Sequence, residues 1–411
     1  MPWRTTVMSL IALLGGFGLM QTGNTLQGTL LSIRGNIEGF SPIEIGLVGA
    51  AFWTGIVAGS LCSETVIERV GHVRTFAALG AIAATAPLFH LLVINPAAWI
   101  AARALTGLCF AGMFVVVESW LNGAATPQSR GKVLSVYSMT GLIAGITGQL
   151  LFPLADPAGF RPFCISAVII SLALVPVALT RAASPSYLGS EARSSVRDLY
   201  TQSPLGVVTA FLCGATTGAF FALGPNFAQR RGLDAGGIAA IMASGTLGGF
   251  LMAWPLGWLS DRMDRRIVII CAAVTAASSL AVLSALIPPD APLPLLCVSV
   301  ALLGATIVPT YSIVIAHVND SVTKGRFVAA SSCLLLIQGI GAAVGPVLAG
   351  FAMAAWEHGL AYTLIAQQAL IVAWGFYCLA AEPSSERKGT FLVEPPVPVA
   401  TTFAVAHEKA E

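Results

Sequence analysis

Runs of about 20 apolar residues, separated by short charged gaps, follow one another along this chain and leave few folds open to it. A helix of that length spans roughly 30 Å, the thickness of the hydrocarbon core of a bilayer. Of 411 residues, 56% are hydrophobic and only 10% charged, and mean hydropathy is +0.83. That is too little polar surface to clothe a water-soluble particle of this size. The runs are far too long for barrel strands and lack period-two alternation, so the spans read as helices.

Taken in order, the apolar runs predict helices near 6–31, 43–63, 75–94, 97–121, 131–153 and 162–180, then 204–228, 236–258, 267–287, 294–318, 327–353 and 360–380. The chain is therefore expected to be an all-α integral membrane protein of twelve transmembrane helices. Its first twenty residues look like a signal peptide, but the apolar run continues past residue 20 with no A-x-A site, so it is expected to stay as the first span. Lys and Arg set the orientation. With the N-terminus inside, sixteen fall in cytoplasmic segments and four, Arg34, Arg161, Arg230 and Arg231, on the opposite side. Both termini are thus expected in the cytoplasm.

Two charged islands show an internal duplication. Residues 64–74 (ETVIERVGHVR) come back at 257–266 (GWLSDRMDRR), which places Glu68-Arg69 and Asp261-Arg262 about 193 residues apart. Arg130-Gly131-Lys132 is answered by Lys324-Gly325-Arg326 at nearly the same offset. Two landmarks with one offset indicate a doubled unit of six spans.

These islands resemble the turn G-x-x-x-D-R-x-G-R-[RK] of the major facilitator superfamily, which lies between the second and third helices of each half. Glu68, Arg69, Gly71, His72 and Arg74 take the acidic, basic, glycine, basic and final basic positions, with Glu64 at the opening glycine and Val73 at one basic position. In the second copy Gly257, Asp261, Arg262, Arg265 and Arg266 fit, and Asp264 stands at the second glycine. The resemblance covers residues 1 to about 382. It implies two pseudo-symmetric six-helix bundles, 1–180 and 204–382, joined by a cytoplasmic linker at 181–203. That linker is polar, with an amphipathic turn expected near Val196 to Tyr200. The tail at 383–411 lacks apolar content and is expected to be disordered from about 385 onward.

Function classes can be excluded by what is missing. The chain holds no phosphate-cradling G-x-x-x-x-G-K-[ST] loop, no H-E-x-x-H helix and no G-x-S-x-G turn, so enzyme chemistry and ATP-driven pumping have no motif to stand on. Its eight cysteines form no C-x-x-C pair and read as packing residues rather than metal ligands. No cofactor, metal or nucleic-acid partner is expected. The partners are a small-molecule substrate and the lipid bilayer, and the chain is expected to work as a monomer in the plasma membrane, a bacterial inner membrane above all.

Polar residues inside apolar spans are costly, so each is a candidate for function or for bundle glue. The first helix carries Gln21, Asn24 and Gln27 at i, i+3 and i+6, read either as the wall of a substrate path or as interhelical hydrogen bonding. Arg103 in ARALTGLCFAG needs a partner or water; the alternative is snorkelling toward the outer interface near Trp99. The R-x-x-x-G of Arg103 and Gly107 resembles the family's fourth helix, which implies a tie to proton coupling or anionic substrate groups. Glu118 lies about 15 residues, roughly 22 Å, from Arg103 on the same helix, too far to pair. It is read as a clasp to Arg69, Arg74 or Arg130, or else as a titrating proton carrier. His90 and His317 read as interface residues with satisfied hydrogen bonds rather than proton relays, and Glu44, Arg34, Arg230 and Arg231 as an outer rim, solvated or in contact at the outer gate. In the second half Thr217, Phe220, Tyr311 and Gln338 are substrate candidates, a set that suits a neutral or weakly charged molecule. Gly141, Gly145, Gly345 and Pro346 are candidate hinges.

The reading is a secondary transporter of a small organic solute working by alternating access. Proton coupling is a hypothesis, an uncoupled facilitator the near alternative, and a transporter-shaped sensor or assembly factor the alternative of another class. The charged corners Glu68, Arg69, Gly71, Arg74, Asp261, Arg262 and Arg266, with Glu118 and Arg130, are expected to clasp and release during the cycle.

Overall fold

A computed structural model describes residues 2–124, 130–179, 195–285, 291–322 and 327–381. The described residues are almost all helical, with no strand among them. The first half holds α1 (Pro2–Ile37), α2 (Pro42–Val70), α3 (His72–Leu92), α4 (Pro96–Ala124), α5 (Arg130–Leu151), α6 (Arg161–Leu172) and α7 (Leu174–Ala178). After α8 (Val196–Gln202) come α9 (Pro204–Arg230), α10 (Ala235–Arg262), α11 (Arg265–Ala285), α12 (Leu293–Ser321), α13 (Phe327–Ala355) and α14 (Gly359–Ala381). Eleven described segments are long and apolar enough to cross a membrane, with α6 and α7 counted as one. The 36-residue α1, whose middle is dotted with amides and threonines, stands beside them as a further long helix.

Local chemistry explains where the helices begin and break. Pro42 opens α2 behind a capping box in which the Ser41 hydroxyl accepts from the Glu44 amide and the Glu44 carboxylate accepts from Ser41 N. The Asp234 carboxylate caps α10 by accepting from Gly237 N at 2.8 Å. The break between α6 and α7 falls four residues before Pro176, whose ring crowds the Leu172 carbonyl and lacks the donor that would bond it. The α8 helix lies where the sequence suggested an amphipathic turn, with Leu199 buried against the second half. Residues 181–194 and the tail from 382 lie outside the described residues, and with them the expectation of a disordered end.

Close glycine contacts set the relative direction of the helices. On α2 and α13, Gly46 meets Pro346 and Val57 meets Gly339, so the two run antiparallel. On α9 and α13, Phe211 meets Gly341 and Ala215 meets Gly345, so those run parallel. Because α10 folds back from α9, α2 and α10 run the same way. Both charged corners therefore lie on one face of the bundle, the corner face; the opposite one is the far face.

The apolar core divides along the same line. A cluster around Phe17, Phe76, Phe114 and Val117 belongs to the first half, and one around Leu205, Ile269, Ile313 and Leu334 to the second, both toward the corner face. Toward the far face a single cluster runs across both halves, joining Leu30, Ile33, Phe40 and Trp99 to Leu223, Met242 and Leu280. The halves are thus fused by buried apolar surface on the far side, while on the corner side each keeps its own core.

The two corners turn by different means. Gly71 between α2 and α3 has φ of 85°, a conformation that costs a side chain about 1–2 kcal/mol. At the second corner Met263 is extended, and the Asp264 carboxylate accepts from Arg266 N at 3.0 Å, capping α11. That is why aspartate can stand there in place of glycine.

Candidate substrate site

A cavity of about 160 Å³ lies between the halves. Its walls come from α1, α2, α4 and α5 on one side and from α9 and α10 on the other. Gln21, Asn24, Thr25, Gly28, Thr29 and Ser32 form its α1 wall, facing Phe52, Trp53, Arg103, Gly141, Gly145, Gln149, Phe221, Ala222 and Thr246. Residues 21, 24, 25, 28 and 32 make one stripe because i+3 and i+4 steps alternate around a single face. Repeated i+3 steps fall back by about 60° each, which carries Gln27 off that stripe. It is fully buried and outside the cavity lining.

Polar atoms in the wall divide into those engaged and those waiting. The Thr29 hydroxyl donates to Gln149 Oε1 at 2.9 Å, and Ser32 Oγ donates to the Ala222 carbonyl at 2.7 Å. Gln21 Oε1, Asn24 Oδ1 and Arg103 Nη1 are buried with no hydrogen-bond partner. Arg103 is only 6% exposed, its guanidinium stacked 4.2 Å from the centroid of the Phe52 ring. Among the described residues it has no ion pair. Snorkelling is therefore not what this arginine does. Trp99 is instead a brace: its indole N–H donates to the Val93 carbonyl at 2.8 Å, and its ring packs edge-on to Phe40 and His90.

The cavity is sealed toward the far face. Above the Ser32–Ala222 bond, Asn36 Nδ2 donates to Gln229 Oε1 at 2.9 Å, across a sequence separation of 193. That is the offset of the charged corners, so this pair sits where the two halves exchange by pseudo-symmetry. Neither residue was a candidate, although two amides at equivalent positions were readable from the repeat. Gly46 backs onto the Pro346 carbonyl, and a methyl group on Gly350 would lie 2.7 Å from the Pro42 carbonyl oxygen.

The rim around that seal is less solvated than its charges suggested. Arg34 is 9% exposed, pairs with Glu38 at 2.6 Å, and donates to the Pro157 and Ala158 carbonyls. Arg230 donates to Met353 O at 3.3 Å, an equivalent tie in the second half. Arg231 donates to Leu283 O; burial lowers its guanidinium from the ordinary value, against a Glu357 charge that raises it. Glu44 is spent on the α2 cap. His90 is fully buried, its Nδ1 against the Ala86 carbonyl.

On the corner face the halves differ. Glu68, Arg69 and Arg74 are exposed, while Glu118 is 2% exposed and accepts from the Tyr137 hydroxyl at 3.1 Å. The side chain of Arg130 lies outside the described residues, and the expected Glu118–Arg130 pairing with it. In the second half the network centres on Arg265, which pairs with Asp320 at 2.7 Å and Asp261 at 3.2 Å and donates to Ser260 Oγ. Arg266 pairs with Asp264 at 2.7 Å, and Arg262 stacks on Trp258 at 3.8 Å. Arg265 stood in the sequence only as a fit to the repeated turn and Asp320 not at all; a pair 55 residues apart leaves no local trace in a sequence.

The remaining candidates are dispersed. Thr217 bonds back to the Cys213 carbonyl, as a helical threonine does. Phe220 lines a separate apolar cavity of about 50 Å³ inside the second half, and it is Phe221 that faces the central one. Tyr311 is buried in the corner-side core of the second half. Gln338 is half-buried on α13, with Oε1 unpartnered. Of the candidate hinges, Gly141 and Gly145 are wall of the central cavity, Gly345 packs on Ala215 within its own half, and Pro346 meets α2 across the interface. No cluster of three or more metal-ligating side chains occurs among the described residues.

Comparison with known proteins gives this geometry a family. The Major Facilitator Superfamily model matches residues 13–254 and 205–408. The uncharacterized MFS-type transporter YcaD of Escherichia coli K12 is 27% identical over 371 residues, 89% of this chain and 94% of YcaD, and YcaD of strain IAI39 matches to the same extent. Among solved structures, the nucleoside transporter NupG superposes with a TM-score of 0.73 at 14% identity, over 92% of this chain and 98% of NupG. A bacterial homologue of the human lysosomal transporter Spinster, inward-facing and unoccupied, gives 0.70 at 15% identity, over 92% and 97%. Relatives and fold alike are those of transporters rather than enzymes, and the chain belongs to the major facilitator superfamily.

Proposed function

We propose that this chain carries a small organic solute through the central cavity, exposing it alternately to the two faces as its halves rock. The observation that carries the reading is the divided core: one apolar cluster bridges the halves on the far side, while separate clusters serve them on the corner side. Two bodies joined along one edge can pivot there, the bistable element alternating access requires. Sixteen of the twenty basic residues outside the spans fall on the corner-side segments, so that face is assigned to the cytoplasm of a bacterial inner membrane. The conformation described is then the one closed to the outside. The candidates that line the cavity, Gln21, Asn24 and Arg103, hold the solute, while Gln27, Thr217, Phe220, Tyr311 and Gln338 act from behind it.

Proton coupling is assigned to the Glu118–Tyr137 pair, a carboxylate 2% exposed and bonded to a phenol inside the membrane domain. The facilitator reading keeps one observation of its own: among the described residues, none that lines the cavity is a carboxylate. Uptake of a solute found by thermal-shift screening, measured in proteoliposomes with and without an imposed pH gradient, separates them. Coupling predicts gradient-driven accumulation that Glu118→Gln reduces to equilibration; equal rates with and without the gradient remove it.

A further inference from the structure

We propose that the occupant of the central cavity is a small organic monoanion, a carboxylate of about six to ten heavy atoms with a flat apolar body. This deepens the transport reading and rests on it for the identity of the cavity as the substrate site. Arg103 is 6% exposed, has no ion pair among the described residues, and its Nη1 lacks a hydrogen-bond partner. A buried cation in a membrane domain is held at a large desolvation cost unless a counter-charge reaches it. Among the described residues no acidic side chain lines the cavity, so the solute is the group that supplies the counter-charge. One guanidinium balances one charge, and its planar fork matches a carboxylate edge to edge.

The rest of the wall narrows the class. Phe52, Trp53 and Phe221 present apolar rings, while Gln21 Oε1 and Asn24 Oδ1 are buried without partners. Those two amides recognise a neutral polar group on the solute, such as a hydroxyl; an ammonium would be repelled by Arg103 with no carboxylate to hold it. Size follows from volume. A cavity of about 150 Å³ takes a benzene, and this one, at about 160 Å³, suits a substituted ring or a short branched acid.

The test is equilibrium binding to the purified full-length chain in nanodiscs, with benzoate, salicylate and lactate as anions, benzamide as the neutral isostere of benzoate, and benzylamine as the cation. The expected result is binding of at least one anion, with benzamide and benzylamine at least tenfold weaker than benzoate or salicylate. Arg103→Gln should erase the preference of benzoate over benzamide, and Arg103→Lys should keep it in part; an unchanged elution profile and thermal midpoint without ligand show that both fold. Benzamide binding as tightly as benzoate, or no binding of any anion, overturns the proposal. The two readings fail separately: anion binding without flux in proteoliposomes supports this assignment and sinks transport, whereas flux of a neutral solute indifferent to Arg103 sinks the assignment and leaves transport standing.

Discussion

Replacing Gly350 by alanine should open the far face without harming either half. Gly350 lies on α13, and a methyl group there would stand 2.7 Å from the Pro42 carbonyl oxygen and 3.1 Å from the Ile43 Cα, both on α2 of the opposite half. Ordinary contact begins near 3.4 Å, so the interface must yield by about 0.7 Å at a point where backbone meets backbone. Overpacking of this kind costs about 1–3 kcal/mol. The alanine also favours the helix by about 1 kcal/mol, but it does so in every conformation and cancels from the equilibrium between them. The remainder falls on the far-closed state alone and shifts its population by about 5- to 150-fold.

Gly28 supplies the reporter. It lines the cavity and has nothing within 4 Å of an added Cβ, so Gly28→Cys in a background without the eight native cysteines is a benign probe. Labelling by a membrane-impermeant thiol reagent, applied to the far face of sealed vesicles, should quicken by about that factor in the Gly350→Ala variant. Gly345→Ala is the contrast. Its methyl group would lie 2.6 Å from the Ala215 carbonyl carbon, inside the second half, so it should lower thermal stability with little change in labelling. An unchanged labelling rate in a well-folded Gly350→Ala protein refutes the idea that this edge is the seal.

Arg265→Ala should destabilise the chain by about 3–5 kcal/mol, because it strips a partner from Asp320, itself 6% exposed; denaturant unfolding reads the loss, and Arg265→Ala with Asp320→Ala should recover part of it. Asn36→Ala and Gln229→Ala should each raise labelling of the Gly28→Cys probe severalfold, as expected for a hydrogen bond worth about 1 kcal/mol. Combined, they should add little to either alone, and full additivity would show that the two amides do not act on each other.

Much of the fold was legible because membrane folding writes itself in long words. The apolar runs and the 193-residue repeat each sum over many residues, so no single substitution hides them. The site was legible only in part. Gln21, Asn24 and Arg103 stand out as polar residues where polarity is costly, and all three line the cavity. Gln27 and Phe220 lie off that wall because which side of a helix faces a partner depends on packing angles that one residue's spacing does not contain. Arg34 could be read as a solvated rim charge or an outer-gate contact; the structure gives it contacts to loop carbonyls more than 120 residues away, which no local spacing could show. The pairing of Arg265 with Asp320 escaped because it exists only once α11 and α12 lie side by side.

The most direct test of two-body rocking is a distance across the corner face. Spin labels at Arg69 and Arg262, both exposed, would be measured in nanodiscs with and without a short thiol crosslinker joining Asn36→Cys to Gln229→Cys. Rocking predicts two corner-face distances in the free protein and only the longer one once the far edge is pinned. A single distance, indifferent to the crosslinker, would contradict it.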